Sequence, residues 1–342
     1  MVHPLFYQRL YPIVVVLLCC IVLLGACAPL PLGCPPACTE ITLRQANLDG
    51  AQLSQANLNG VELISVQMSR AKLDGANLSG ANLTGSTLID ADLTGANLQG
   101  TVLRNADLTG ANLSGANLSG ANLTGAILTR VDLRSVNVNA VVLEGARLVG
   151  SNLEGVNLEG VPLIGADLRG ANMITTQLFG ASLSRSQSGV SANLTGADLR
   201  GADFRGADVR GANFQGADLR GASFIGANLT EASLTGANLR GADFRRATII
   251  DTNLSGATLD DADFTSATVE RSLLNGTSLL RTNMAGADFT VTEVAELTRL
   301  PQRGQTETDS FAIDLDGARY NRLTTWPEGF TPPESAIDID SN

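Results

Sequence analysis

Residues 202–216 read ADFRGADVRGANFQG and set an acid two residues before an arginine twice running, Asp203 with Arg205 and Asp208 with Arg210. A carboxylate beside a guanidinium can grip an anion or relay a proton, provided both sit in a sheltered cleft. Arg200, Arg220 and Arg240 recur every twenty residues and form a candidate surface for an anionic partner; Asp198 and Asp218 precede the first two and favour the plainer reading, in which the acids relieve repulsion between stacked arginines. The remaining chemical inventory is narrow. The single histidine is His3, and all five cysteines (Cys19, Cys20, Cys27, Cys34 and Cys38) precede residue 39. The body of the chain therefore lacks the commonest general base, the commonest metal ligand and the thiol nucleophile. It carries no phosphate-binding loop and no nucleophile–base pair. The expectation is a protein without catalytic residues, metal or cofactor.

Composition narrows the class further. With 36 glycines and 4% aromatics in 342 residues, a packed core of large side chains is not expected. Disorder is a poor reading, because the 44% hydrophobic residues are regularly placed. The net charge of −11 argues against a nucleic-acid binder, suits a basic partner, and suits plain solubility better still.

The N-terminus reads as an address. Arg9 is followed by an uncharged apolar run over Ile13–Leu24, shorter than the roughly 20 residues a spanning helix needs. The junction Leu24-Gly25-Ala26-Cys27 resembles the lipobox of bacterial lipoproteins. That resemblance implies cleavage after residue 26 and acylation of Cys27, which would anchor the chain to a membrane. The alternative is an uncleaved transmembrane anchor. Either way residues 39–342 are expected outside the cytoplasm, at the outer membrane or the outer face of the cytoplasmic membrane. Residues 27–40 form a Pro/Cys-rich tether, in which Cys34 and Cys38 could pair as a disulfide in an oxidising compartment.

The elements that would position the Asp and Arg residues are set by a period of five. Phe204, Val209 and Phe214 recur at that spacing, whereas a helix repeats at 3.6 and a strand at 2. Taking the large apolar residue as position i, centres run every five residues from Leu43 to Leu183. Position i−2 is small, i−1 is often Asn or Asp, and i+2 is often Gly. The phase slips at SRSQSGVSA, which reads as a bulge or small loop at 186–191, and resumes from Leu194 to Val294.

This pattern, A-(D/N)-L-x-x, resembles the pentapeptide-repeat family over residues 41–296. The resemblance implies an all-β fold, a right-handed quadrilateral parallel β-helix with four pentapeptides per coil. About 12 coils would make a rod roughly 60 Å long. Residues i−2 and i would face inward, and i−1 and i+1 would face solvent. Residues twenty apart should stack, which places Phe204, Phe224, Phe244 and Phe264 in one column and Met284 after them.

Block 1 then covers 41–185 and block 2 covers 192–296. Residues 297–312 read as an insertion loop, and 313–342 as a last partial coil, an aromatic cap and an acidic tail expected to fray beyond Pro333. Tyr320, Trp326 and Phe330 gather scarce large aromatics there, and their expected role is to cover the open end. That end also offers a route to a homodimer.

The expected function is a non-enzymatic, membrane-tethered scaffold presenting rigid faces to an unknown protein partner. The alternative comes from family analogy: some pentapeptide proteins mimic duplex DNA and bind DNA gyrase. Residues 40–296 carry 18 basic against 26 acidic residues. That charge is far sparser than DNA's one per 1.7 Å or so of axis.

Overall fold

The structure, a computed structural model, describes residues 44–289 and 315–340. Cys27, Cys34, Cys38, the apolar N-terminal run and the loop at 297–312 lie outside the described residues. Two compact units divide the chain, one ending at Val142 and the other starting at Leu143.

In the first unit four successive pentapeptides each bridge, in parallel, to the pentapeptide twenty residues on: Asn47 to Gln67, Gln52 to Lys72, Asn57 to Asn77, and Glu62 to Asn82. The cycle then begins again with Gln67 to Thr87. Each side makes two bonds that run to different neighbours. Asn77 N donates to Ala56 O one coil back at 2.9 Å, and Leu78 N donates to Asn97 O one coil ahead at 2.8 Å. Ala81 N donates to Leu78 O at 3.0 Å and closes the corner. Backbone donors and acceptors are thus paired between coils, so one pentapeptide is unstable alone and a stack is stable.

The corner explains the glycines. Position i+2 has left-handed backbone throughout most of the wall, as in the second central residue of a type II turn. Gly80 there has φ +66°, and where glycine is absent other residues take the same conformation, among them Asp90 at φ +54°, Asn105 at φ +55° and Arg130 at φ +60°. Position i is fully buried and usually leucine, with alanine at i−2 beside it. Where i−2 is a buried hydroxyl, the fold supplies a carbonyl acceptor, either one coil back, as where Thr101 Oγ1 donates to Leu78 O at 2.9 Å, or at the preceding centre, as where Ser86 Oγ donates to Leu83 O at 2.7 Å.

The second unit repeats this geometry with three changes. First, Asp167 bridges Asn193, Asn172 bridges Asp198, Gln177 bridges Asp203 and Ser182 bridges Asp208, a spacing of twenty-six, and the spacing returns to twenty at Asn193 to Asn213. The six extra residues form a tight loop, in which Ser186 N donates to Val190 O at 2.8 Å and Gly189 N to Ser186 O at 2.9 Å. Arg185 Nη1 lies 2.9 Å from Glu231 Oε2, on the far side of Gly211. A side chain at Gly211, whose φ is +66°, would sit 2.8 Å from Arg185 Nε and push the arginine aside.

Second, the interior turns aromatic. Phe204, Phe224, Phe244 and Phe264 stack face to face with centroids 4.8, 5.0 and 4.7 Å apart. Phe214 meets the column edge-on, 5.7 Å from Phe204 and 6.1 Å from Phe224. Third, two sides lengthen into three-residue parallel strands, β1 (Thr248–Ile250) and β2 (Thr268–Glu270), where β-branched residues favour extended backbone.

After the undescribed stretch the chain rejoins the stack. Ser278 bridges Arg319 and Asn283 bridges Thr325. Leu315 and Ala318 are buried. Arg319–Tyr320 (β3) then pairs in parallel with Ile337–Asp338 (β4). This corrects the expectation of a frayed acidic tail: Ile337 N donates to Ala318 O at 2.7 Å and Ile339 N to Tyr320 O at 3.0 Å. The last coil otherwise leaves a row of unpaired backbone groups, and the tail satisfies part of it.

Candidate interaction surface

On the wall of the second unit, an aspartate at i−1 and an arginine at i+1 of one pentapeptide point outward on the same side. Arg205 Nε donates to Asp203 Oδ1 at 2.8 Å and Nη2 to Oδ2 at 2.6 Å, a bidentate pair. Arg205 N donates to the same Oδ1 at 3.0 Å. The carboxylate therefore organises both the side chain and the backbone of the arginine two residues on. Arg169, Arg200, Arg210, Arg220 and Arg245 make the same bidentate pair with Asp167, Asp198, Asp208, Asp218 and Asp243.

The protonation states follow. Hydrogen bonding from Arg205 holds the Asp203 carboxyl below its usual range, outweighing the opposing effect of partial burial, and Asp198, Asp208 and Asp218 are lowered in the same way. For Asp243 burial is the largest single influence and pushes upward, but the Arg245 bonds and charge together still leave it lowered. Neither partner is poised to give or take a proton near neutral pH.

The candidate residues Arg200, Arg220 and Arg240 do not present three free cations. Arg200 and Arg220 are each held by their own aspartate at 2.7 and 2.6 Å, and Arg200 Nε also lies 3.9 Å from Asp218. Residue 238 is Asn, so Arg240 reaches instead to Asp261, at 3.2 Å. Asp261 is shared with Arg281.

The C-terminal aromatics do meet. Tyr320 and Trp326 lie edge to face with centroids 5.6 Å apart, and Trp326 lies 5.2 Å from Phe330. Phe289 joins them, 5.1 Å from Phe330 and edge-on. Tyr320, Trp326 and Phe330 are half-buried.

Three surface features escaped the sequence reading. Phe179 sits at an outward position and is 47% exposed, with the Arg205 guanidinium 5.8 Å from its ring centroid. The Arg185 to Glu231 tie spans a loop whose fold gave no periodic signal. In the first unit the side-chain amides of Asn57, Asn77, Asn97, Asn117 and Asn137 form a ladder of Nδ2 to Oδ1 bonds of 3.3, 3.3, 3.4 and 2.9 Å. That ladder was visible in principle as asparagine at twenty-residue spacing. Among the described residues no group of three or more His, Cys, Asp or Glu side chains is placed to hold a metal ion. Nor is any helix there long and apolar enough to cross a membrane.

The class these observations define is a four-sided parallel β-solenoid whose outward polar groups are largely satisfied among themselves. The family model for pentapeptide repeats matches overlapping stretches from 38 to 161 and from 190 to 261. The chain belongs to the pentapeptide-repeat family, whose members fold as right-handed quadrilateral β-helices. No curated protein matches it. Among solved structures it is similar to HetL of the cyanobacterium Nostoc sp. strain PCC 7120, described as involved in heterocyst differentiation regulation. Identity there is 36% over 63% of this chain and 89% of HetL, with a TM-score of 0.38. A pentapeptide-repeat protein of the Arabidopsis thaliana thylakoid lumen is 38% identical over 27% of this chain and 64% of its own, with a TM-score of 0.27. Full-length QnrB1, a plasmid-mediated fluoroquinolone resistance protein, is 15% identical over 64% of this chain and 92% of its own, with a TM-score of 0.24.

Proposed function

We propose that the chain is a non-enzymatic scaffold, tethered to the bacterial envelope through Cys27 or an uncleaved anchor, that offers flat rigid walls to a protein partner. The observation that supports this most is the chemical quiet of the wall. Its recurring acid–base pairs are bidentate ion pairs closed on themselves, with lowered carboxylates and exposed arginines. Such a surface recognises shape and pattern and does not turn over a substrate. The tether is supported by the Leu24-Gly25-Ala26-Cys27 junction.

The same pairing argues against the DNA-mimic reading. A DNA mimic needs a continuous field of unpaired negative charge, and here Asp203, Asp208 and Asp218 each hold an arginine. The aromatic cluster of Tyr320, Trp326 and Phe330 serves in this scheme as a lid on the last coil, which also limits unwanted edge association. Fractionation of cells producing the Cys27→Ala variant tests the tether. The expected result is loss of the lipid-modified form and altered membrane association. Recovery of the unaltered protein in the cytoplasm, together with inhibition of gyrase supercoiling, would overturn it.

A further inference from the structure

We infer that the asparagine-ladder face of the first unit is a self-association surface, with a second copy of this chain as its occupant. The face comprises residues 56–60, 76–80, 96–100, 116–120 and 136–140, and none of these is charged. Its neighbours on the chain are not so neutral: Lys72, Asp74 and Asp92 lie on the preceding side and Glu62 and Arg104 on the following one.

The polar groups of this face are largely hydrogen-bonded before any partner arrives. Asn77 Oδ1 accepts from Ser79 N at 3.2 Å, Ser79 Oγ at 2.7 Å and Asn97 Nδ2 at 3.3 Å. Asn97 Oδ1 accepts from Gln99 N at 3.2 Å, and Asn117 Oδ1 from Ser119 N at 3.1 Å. Asn59 Nδ2 donates to Ser79 O at 2.8 Å. Dehydrating a polar group is expensive chiefly when its bonds to water have no replacement. Here the replacements exist, whereas the sides of the second unit that carry Asp–Arg pairs would require dehydration of exposed ion pairs. The face is also unobstructed at its corners: Gly80, Gly100 and Gly120 have open space where a side chain would stand.

Two arguments select a second copy as the occupant. The chain carries a net charge of −11, so copies repel over most orientations, and a charge-free face is where two can meet. The ladder also repeats at the strand spacing of about 4.8 Å, and only another stack of strands has the same repeat. Two such ladders stay in register along their length, as paired amide ladders do between sheets in steric zippers. Ten of the face's 25 residues, from Ala56 and Leu58 to Val136 and Val138, are buried in the interior, and the 15 left outside are fewer than the roughly 20–30 a side of a standard interface, so the association is weak and concentration-dependent.

The test places a photo-crosslinking residue at Gln99 in the full chain produced in cells. The expected product is a homodimer whose crosslinked peptide maps to 56–140 of the second copy. The same probe at Ile225, between the Asp203–Arg205 and Asp243–Arg245 ion pairs of the second unit, is expected to give none. The double variant Asn97→Asp and Gln99→Glu, with the probe moved to Ser119, is expected to lower the dimer yield by roughly tenfold or more through like-charge repulsion. An unchanged circular dichroism spectrum shows that the fold survives. Absence of dimer from Gln99, crosslinking of Gln99 to a different protein, or dimer captured instead from a probe at Leu323 in the C-terminal coil would each overturn the inference.

Discussion

The two units share one backbone and differ in what they stack on it. Residues 44–142 hold 13 charged side chains and a leucine interior, and their wall carries the asparagine ladder; residues 143–289 hold 28, with six phenylalanines inside and Asp–Arg pairs outside. The cause of the difference is the short coil repeat. Residues twenty apart face one another at about 4.8 Å, so a column favours whatever can be stacked on itself. Amides can, each donating to the next, and so can flat rings. Identical charges cannot. Asp198 bridges Asp218 directly and feels its charge, and the column is tolerated because Arg200 and Arg220 neutralise each carboxylate within its own pentapeptide.

The interiors give the sharpest way to break this comparison. Phe224 lies between Phe204 and Phe244, with 4.8 and 5.0 Å between centroids. Phe224→Ala removes the ring from both contacts and leaves a cavity, at a cost of about 3–5 kcal/mol. Leu98→Ala, at the matching buried position of the first unit, is expected to cost about 2–5 kcal/mol. The ring contacts should place Phe224 above Leu98 by roughly 0.5–1.5 kcal/mol per pair lost. Hydrogen exchange read separately on amides of the two units measures both losses in the intact chain. Equal losses would mean that the aromatic column adds volume and nothing more.

The inward pattern was legible because it is strict: one large and one small apolar residue at fixed offsets in every unit. The column of four phenylalanines followed from counting twenty. The slip after Leu183 was visible as a broken phase, but the tie from Arg185 across Gly211 to Glu231 was not, because it crosses two coils and follows no period. The wall was harder to read than the interior. Sequence alone placed Arg200, Arg220 and Arg240 in one column, yet whether they are free depends on i−1. Asp occupies that place twice and Asn once, and the third arginine turns to another coil as a result. The tail failed for a similar reason. Its acidic composition suggested fraying, but the open edge of the last coil supplies backbone partners that composition cannot reveal.

A second comparison should come out equal in the two units. Gly100 and Gly226 occupy the same corner position with φ +64° and +66°, and neither has an atom within 4 Å of where a side chain would begin. Valine at either corner is expected to cost roughly 1–2 kcal/mol, purely from the left-handed backbone. Asparagine should cost much less, since Asn105 already takes this conformation at φ +55°. Urea unfolding of Gly100→Val, Gly100→Asn and the same pair at Gly226 measures this. A large difference between the corners would mean that the units do not share one frame.

The smallest effect separates the walls by acidity. Asp198, Asp203, Asp208 and Asp218 titrate below the ordinary 3.8 because their arginines hydrogen-bond the charged form. A carboxyl lowered by folding contributes stability that is fully present above its unfolded value and lost as pH falls through the folded one. Amide protection around 197–221 should therefore hold from neutral pH down to about 4 and weaken below it. Among the described residues of the first unit only Asp92 and Asp132 are lowered, by Thr94 and by Arg134 respectively, and neither lies on the asparagine ladder. Protection at the ladder residues Asn77, Asn97 and Asn117 should be nearly flat over the same range, since a side-chain amide does not titrate. Asp203→Asn sharpens the test. It should flatten the acid response beside Arg205 while leaving the response beside Asp218 unchanged, because these exposed pairs act one pentapeptide at a time and each contributes little. Loss of the acid response along the whole wall from that one change would instead show the pairs acting as a network.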